Sequence, residues 1–234
     1  MPRQLTLILT FALTGIAAAG TPFGGDDTGF VPANENAYRC SSRVTTALAK
    51  LRSSITKCHN RMANEGLRGT ATDDERCEDA AKAKFDRTMK VVTAPTCPAC
   101  LVAAIAGLSS AVEAEQDAGN SDFYCSGVTA FPGDNTGFEP INGLYFDGSS
   151  RTATGIAKLG SCITKCHNRL ALYSLTGRSF DEEACEDACR ARFDVLVPTI
   201  TAHAPSCLQL AEVTQLADDT ETSLDQELGD YYCE

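Results

Sequence analysis

The chain has 234 residues, with 20 Lys or Arg against 31 Asp or Glu, so its formal net charge at pH 7 is −11. This excess of negative charge argues against binding to nucleic acid or to anionic membranes, because both need a positive surface potential. Trp is absent, which leaves little material for an aromatic platform that would stack on bases or sugars. The composition suits a soluble extracellular protein with an acidic, solvated surface.

The first 19 residues have the features of a secretory signal peptide. Arg3 supplies a basic start, residues 5–19 are apolar, and three alanines end the run. The run is shorter than the roughly 20 residues that a membrane-spanning helix needs, and no second apolar run follows. We therefore predict an exported protein without a membrane span, whose mature chain starts near Gly20 or Thr21.

All 12 cysteines follow the predicted signal peptide. An even, dense set of cysteines in an exported chain indicates disulfides, because an oxidising compartment lets them persist. Only Cys97 and Cys100 have the CxxC spacing, whereas a zinc site needs clustered pairs and a redox CxxC normally follows a strand. The sequence therefore predicts structural disulfides, no metal site and no cofactor.

The chain resembles itself when it is shifted by 108 residues. Between residues 26 and 86, 33 of 61 positions carry the same residue 108 positions later. The segment Ile-Thr-Lys-Cys-His-Asn-Arg occurs at 55–61 and again at 163–169, and Cys-Glu-Asp-Ala occurs at 77–80 and 185–188. This pattern indicates duplication, with a signal peptide at 1–19 and helical repeats at 20–127 and 128–234.

Each repeat reads as a short loop rich in Gly, Pro and Asp, followed by three helices. The first helix carries an apolar stripe with spacings of three and four residues, which is typical of an amphipathic helix. In the first repeat this stripe consists of Val44, Leu48, Leu51, Ile55, Cys58 and Met62. No stretch alternates long enough to predict a sheet. The predicted fold is all-α: two tandem three-helix bundles with disulfide bonds, joined near residues 126–133.

The second repeat predicts its own disulfide pairs. Cys162 and Cys166 lie four residues apart on one predicted helix, and Cys185 and Cys189 lie four apart on the next. Residues at i and i+4 share a helix face. Two antiparallel helices must therefore join the inner two cysteines and the outer two, which gives Cys166–Cys185 and Cys162–Cys189.

In the first repeat, the inner pair is Cys58 and Cys77, while Ser54 and Ala81 stand at the two outer positions. Elimination then assigns the other six cysteines as Cys40–Cys100, Cys97–Cys125 and Cys207–Cys233. A straight third helix of 20 residues would be about 30 Å long and would hold Cys97 far from Cys125. Either that helix is short or bent, or these cysteines pair differently.

These motifs resemble a set of uncharacterised bacterial exported repeat proteins. The resemblance lies in Lys-Cys-His, a following Gly, Phe-Asp-Glu-Glu-Ala-Cys-Glu at 180–186, Arg-Phe-Asp at 192–194, and the leading Asp-x-Thr-Gly-Phe-x-Pro loop. It covers most of both repeats, and the first departs from it at 71–77. The resemblance implies export and helical architecture, and it implies no activity. The CxxxC hairpin is also similar to plant α-hairpinins, a likeness we interpret as convergent.

The hairpin is also similar to that of secreted phospholipases A2, which set a His on one disulfide-linked helix against an Asp on the other. This resemblance implies a general base in either of two pairs, His59 with Asp79 and His167 with Asp187. The chain departs from that family because Asn60 and Asn168 replace the expected calcium-binding acid. In the alternative we favour, each His bonds to Glu78 or Asp79, or to Glu186 or Asp187, and orders the hairpin.

The loops at 26–29 and 134–137 carry Asp, Asn and Thr oxygens. A calcium loop supplies about six to eight oxygen ligands, which is more than these loops offer. Asp, Asn and Gly are ordinary turn residues. We interpret the loops as turns that dock the entry to each bundle, with Phe30 and Phe138 buried.

The favoured function is an exported, non-catalytic structural or interaction module of the periplasm or extracellular space. The alternative is a secreted phospholipase A2-like lipid hydrolase with a His–Asp pair. The expected partner is an unknown protein or surface, and not nucleic acid. The near-identical Thr-Lys-Cys-His-Asn-Arg segments predict multivalent contact through the two repeats.

Overall fold

The computed structural model describes residues 20–70 and 73–233. The predicted signal peptide lies outside these residues. The helices are α1 (Glu35–Leu67), α2 (Glu75–Met89), α3 (Ala99–Ala118), α4 (Gly143–Leu175), α5 (Glu182–Asp194), α6 (Val197–Thr201) and α7 (Leu210–Tyr231). The all-α prediction is confirmed. Among the described helices, none combines the length and the apolar character that crossing a membrane requires.

Helices α1 and α4 each span 33 residues and begin and end in the same way. The side chain of Asn34 accepts a hydrogen bond from the Ala37 N–H, and that of Asn142 accepts one from the Tyr145 N–H. Such caps satisfy a backbone N–H that the first helical turn leaves without a partner. Gly69 and Gly177, both at positive φ, form the turns that follow the two helices.

Helices α1 and α4 pack against each other in antiparallel directions at the centre of the molecule. Thr45 Oγ1 donates to Asn168 Oδ1 over 2.9 Å, and Asn60 Nδ2 donates to Thr154 Oγ1 over 3.1 Å. Residues near the start of one helix therefore contact residues near the end of the other. The predicted stripe of α1 is confirmed, since all six of its residues are buried.

Two small antiparallel hairpins precede the long helices: β1 (Pro22–Gly24) with β2 (Asp27–Phe30), and β3 (Gly127–Ala130) with β4 (Phe138–Pro140). Strands of three or four residues are too short to show a period-two pattern, so the sequence analysis missed them. The expected burial of Phe138 is wrong, because this side chain is 38% exposed. Phe131 is buried instead and contacts Tyr124 edge to face.

Each hairpin packs on helices of the opposite half of the chain. Thr28 Oγ1, in the first hairpin, donates to the Asp225 carbonyl of α7 over 2.8 Å, and the Gly229 N–H donates to Thr28 Oγ1. Thr136 Oγ1, in the second hairpin, donates to the Asp117 carbonyl of α3, also over 2.8 Å. The loops therefore dock as turns, but each docks on the bundle formed by the other half.

We expect Gly29→Ala to destabilise the protein more than Gly25→Ala. Both glycines have positive φ, which costs an Ala about 1–2 kcal/mol. A Cβ on Gly29 would lie 3.0 Å from Gly229 Cα and 3.1 Å from the Tyr232 carbonyl oxygen, whereas one on Gly25 meets nothing within 4 Å. Urea unfolding of both variants tests this. Equal losses of free energy would contradict the packing of the first hairpin on α7.

Three predicted disulfides are confirmed: Cys58–Cys77, Cys162–Cys189 and Cys166–Cys185. Each has a Cα–Cα distance of 5.8 Å. They join α1 to α2 and α4 to α5, as the i and i+4 geometry requires of antiparallel helices.

The three pairs assigned by elimination, Cys40–Cys100, Cys97–Cys125 and Cys207–Cys233, are wrong. The bonds are Cys40–Cys97, Cys100–Cys233 and Cys125–Cys207. The reason is that α3 and α7 are unbroken helices of 20 and 22 residues, which hold the cysteines at their two ends about 30 Å apart. The start of α3 meets the end of α7, and the end of α3 meets the start of α7.

Two of these disulfides, Cys100–Cys233 and Cys125–Cys207, cross the predicted boundary between residues 127 and 128. The halves are therefore linked covalently as well as through α1 and α4. The two cysteines of the CxxC motif have different partners, which agrees with the structural role expected for them.

Candidate functional site

Each half contains a buried histidine surrounded by carboxylates, and we call the first of these clusters centre one. It consists of His59 of α1, Asp74 just before α2, Glu78 of α2, Asp117 of α3 and Asn135 of the second hairpin. His59 Nε2 lies 2.8 Å from Glu78 Oε1 and 3.1 Å from Asp117 Oδ1. His59 is 4% exposed and Glu78 is fully buried. Asn135 Nδ2 donates to Asp74 Oδ2.

The second cluster, centre two, consists of Asp27 of the first hairpin, His167 of α4, Glu182 and Glu186 of α5, and Asp225 of α7. His167 Nε2 lies 2.8 Å from Glu186 Oε1 and 3.2 Å from Asp225 Oδ1. The same nitrogen is 3.4 Å from Glu182 Oε1 and 3.6 Å from Asp27 Oδ1. His167 is 3% exposed. One imidazole therefore faces four carboxylates from three different elements.

The two centres correspond position by position at a spacing of 108 residues. They differ at two of the five positions. Glu182 in centre two matches Asp74 in centre one, and Asp27 matches Asn135. Centre two therefore has one more carboxylate than centre one. Because the hairpins pack on the opposite halves, each centre also receives one side chain from the other half.

The phospholipase-like pairs His59–Asp79 and His167–Asp187 are not formed. The side chain of Asp79 is 71% exposed and pairs with Lys82, while Asp187 is exposed and is not among the contacts of His167. Successive side chains on a helix point about 100° apart, so an Asp that follows an inward Glu is turned away. The carboxylate partners on α2 and α5 are Glu78 and Glu186, as the alternative interpretation expected.

Sequence reasoning missed four members of the two centres, Asp74, Asp117, Glu182 and Asp225, and it assigned Asp27 and Asn135 to turns. Asp117 and Asp225 lie in α3 and α7, where the two repeats otherwise share few residues. Their identity at a spacing of 108 was the available signal. Asp27 and Asn135 were not placed in the centres, since a loop was expected to pack on its own repeat.

The hydrogen-bonding capacity of the centres is unbalanced. A histidine Nε2 carries at most one hydrogen, so it donates to one carboxylate at a time. Several buried oxygens have no hydrogen-bond partner: Asp27 Oδ1, Glu78 Oε2, Asp117 Oδ2, Asn135 Oδ1 and Glu182 Oε1. Leaving a buried acceptor without a partner costs about 1–3 kcal/mol, and more when the group is charged.

The electrostatics of both centres favour bound positive charge. Burial lowers the pKa of His59, but hydrogen bonds to Asp117 and Glu78 outweigh it and raise the pKa to about 9. Burial also lowers the pKa of His167, and its bonds to Asp225 and Glu186 raise it to about 10.

The pKa values of several carboxyl groups in the centres are raised as well. Burial raises the pKa of Asp27 to about 7, against the opposing effect of His167. Burial, together with a hydrogen bond to Glu186, raises the pKa of Glu182 to about 10. The pKa of Glu78 and that of Asp225 are also raised, mainly by burial. One imidazolium therefore does not neutralise the carboxylates around it.

The near-identical segments around the histidines serve contacts inside the molecule. Cys58 and His59 are buried, and Asn60 Oδ1 accepts a hydrogen bond from the Tyr124 hydroxyl over 2.7 Å. The equivalent Asn168 Oδ1 accepts one from the Tyr232 hydroxyl over 2.6 Å. These internal contacts account for much of the shared sequence of the two segments.

Comparisons with protein-family models, with curated proteins and with solved structures found no match to this chain. The resemblance to exported repeat proteins therefore stays a prediction.

Proposed function

We propose that the protein is an exported, non-catalytic structural or interaction module that works through its outer surface. The observation that carries this proposal is the burial of both histidines, which lie 108 residues apart in the chain, among carboxylates. His59 and His167 are 4% and 3% exposed, and their Nε2 atoms already contact acids from neighbouring helices. These are the groups on which a phospholipase-like reaction would depend.

The disulfides support the exported part of this proposal. Six disulfides join all 12 cysteines of the chain. Such bonds persist in oxidising compartments and are rare in the cytosol. Two of them tie the halves of the chain together, so the outer surface keeps a fixed arrangement of both halves.

The geometry of the histidines supports the non-catalytic part. A general base must come within about 2.6–3.2 Å of the proton that it removes from a substrate. The Nε2 of His167 has Glu186 Oε1 at 2.8 Å and Asp225 Oδ1 at 3.2 Å, so acids of the protein fill that space. The contacts favour a histidine that holds helices together.

We expect the oxidised protein to release no fatty acid from phospholipid vesicles above the buffer rate, with or without Ca²⁺. The double variant His59→Gln/His167→Gln and the matched surface variant Asp79→Asn/Asp187→Asn should give the same rate as the parent protein. Turnover by the parent that is lost in the histidine variant and kept in the surface variant would contradict the proposal.

A test of interaction needs the intact chain. Either half expressed alone would lack the partners of its two cross-linking cysteines, Cys100 and Cys125 in the first half and Cys207 and Cys233 in the second. Each hairpin would also be separated from the helices on which it packs. A comparison of one half with the whole protein would therefore measure misfolding as well as valency.

A further inference from the structure

Centre two holds more acceptor atoms than its own donors satisfy. Asp27 Oδ1 and Glu182 Oε1 are buried and have no hydrogen-bond partner. All five side chains of the centre are less than one-tenth exposed. A buried carboxylate that lacks a hydrogen-bond donor needs a cation or a proton to balance its charge.

We propose that centre one and centre two are binding sites for divalent cations, each with one imidazole nitrogen and two or more carboxylate oxygens as ligands. The first set is His59, Glu78 and Asp117, and the second is His167, Glu186 and Asp225. Within each set, the potential ligand atoms lie within 4.8 Å of one another. The two sites lie in opposite halves of the molecule and use equivalent positions.

The distances match those within one coordination shell. Two ligands bound at about 2.0–2.2 Å in tetrahedral or octahedral geometry lie roughly 3.0–3.5 Å apart. From His167 Nε2, the oxygens of Glu186, Asp225 and Glu182 lie at 2.8, 3.2 and 3.4 Å. From His59 Nε2, those of Glu78 and Asp117 lie at 2.8 and 3.1 Å. Small movements would bring all of them around one ion.

The ligand types indicate the class of ion. Ca²⁺ and Mg²⁺ are bound mainly by oxygen, whereas imidazole favours first-row transition ions. A set with one nitrogen and several carboxylates, and without thiolate, suits Zn²⁺ or Mn²⁺. Every cysteine of the chain is held in a disulfide, so sulfur does not compete for the ion.

Centre two has the stronger charge and a route from solvent. Asp27 gives it a carboxylate where centre one has the amide of Asn135. Asp27 and Glu182 also line a surface depression together with Phe23 and Phe180. An ion entering there would meet these two acids before His167. We therefore infer tighter binding at centre two than at centre one.

The test begins with untagged protein that is stripped with a chelator, dialysed and titrated with Zn²⁺ or Mn²⁺. Metal analysis after gel filtration should find two ions per chain, and the bound ion should raise the melting temperature. Glu186→Gln should remove one ion and Glu78→Gln the other. The exposed neighbours provide matched controls, since Asp187→Asn and Asp79→Asn should keep both.

A gentler pair of variants guards against loss of folding. Asp27→Asn makes centre two resemble centre one, and it should weaken the tighter site by roughly tenfold, because affinity follows the charge of the ligands. Asn135→Asp makes the reverse change and should strengthen the weaker site.

Two results would overturn the proposal: no uptake by the stripped parent protein at millimolar Zn²⁺ or Mn²⁺, or uptake that survives unchanged in Glu78→Gln and Glu186→Gln. The first result would show that protons neutralise the carboxylates, and the second that the ions bind elsewhere on the protein. Metal binding without turnover would leave the proposed function unchanged.

Discussion

Replacing Cys100 and Cys233 together by serine should lower the free energy of unfolding by about 4 kcal/mol on the chain-entropy estimate. With Cys125–Cys207 still in place, the loop that the bond closes comprises residues 100–125 and 207–233. The bond joins residues 133 positions apart, the largest separation among the six disulfides. Breaking it releases a long loop in the unfolded chain and also unties the end of α7 from the start of α3. Urea unfolding followed by circular dichroism under oxidising conditions gives the measurement.

The chain offers a matched control for this change. Cys162 and Cys189 are 27 positions apart, and the first repeat has Ser54 and Ala81 at the equivalent places. The double variant Cys162→Ser/Cys189→Ala copies that arrangement. Because Cys166–Cys185 remains, the same estimate gives a loss of roughly 2.5 kcal/mol. If this control lost more stability than the Cys100 and Cys233 variant, the long bond would not be a main restraint on the fold.

Metal-free protein should become less stable as the pH rises from 5 to 9. The folded pKa values of His59 and His167, about 9 and about 10, lie above the ordinary histidine value of 6.5. A raised histidine pKa adds stability that is complete below pH 6.5 and is lost as the pH passes the folded value. The groups facing the two imidazoles are Asp74, Glu78 and Asp117 in centre one, and Asp27, Glu182, Glu186 and Asp225 in centre two.

The acids of centre two change stability in the same direction. The pKa of Asp27 rises from 3.8 to about 7 on folding and that of Glu182 from 4.5 to about 10, so the folded protein holds these protons more tightly. Their contribution is complete below the unfolded pKa and is lost as the pH rises through the folded values. Together, the titrating groups of the two centres should lower the free energy of unfolding by on the order of several kcal/mol between pH 5 and pH 9.

Unfolding in urea at pH 5, 7 and 9, with a chelator present, measures this dependence. His203→Gln is the control, because His203 is exposed and belongs to neither centre, so its curve should follow that of the parent. If the free energy of unfolding stayed level or increased from pH 5 to pH 9, folding would not raise the pKa values of these histidines and acids.

Features set by neighbouring residues could be predicted from the sequence. The stripe of α1 and the three disulfides of the helix hairpins depend on spacings of three and four residues along one helix, which any α-helix imposes. The pairing of Cys58 with Cys77 needed only a turn between two helices. These predictions hold because the residues in contact lie close together along the chain.

Features set by the arrangement of distant elements could not be predicted in this way. The elimination that paired Cys97 with Cys125 assumed that each repeat closes on itself. A straight α3 already places Cys97 far from Cys125, but nothing local indicates that Cys233, after α7 of the other half, bonds to Cys100. The place of Asp27 beside His167 depends on the same crossing of elements, so the carboxylate that distinguishes centre two was missed.

The crossed connections also have a consequence for biogenesis. A nascent chain that has emerged only as far as α5 carries thiols at Cys100 and Cys125 whose partners, Cys207 and Cys233, are still to be made. The amino-terminal hairpin likewise waits for α7, the last helix to be synthesised. Formation of these contacts should therefore be completed only after α7 has been synthesised. Chains truncated before α7 should accumulate as mixed disulfides with oxidoreductases or small thiols. Only chains that contain α7 can then form the native set of disulfides.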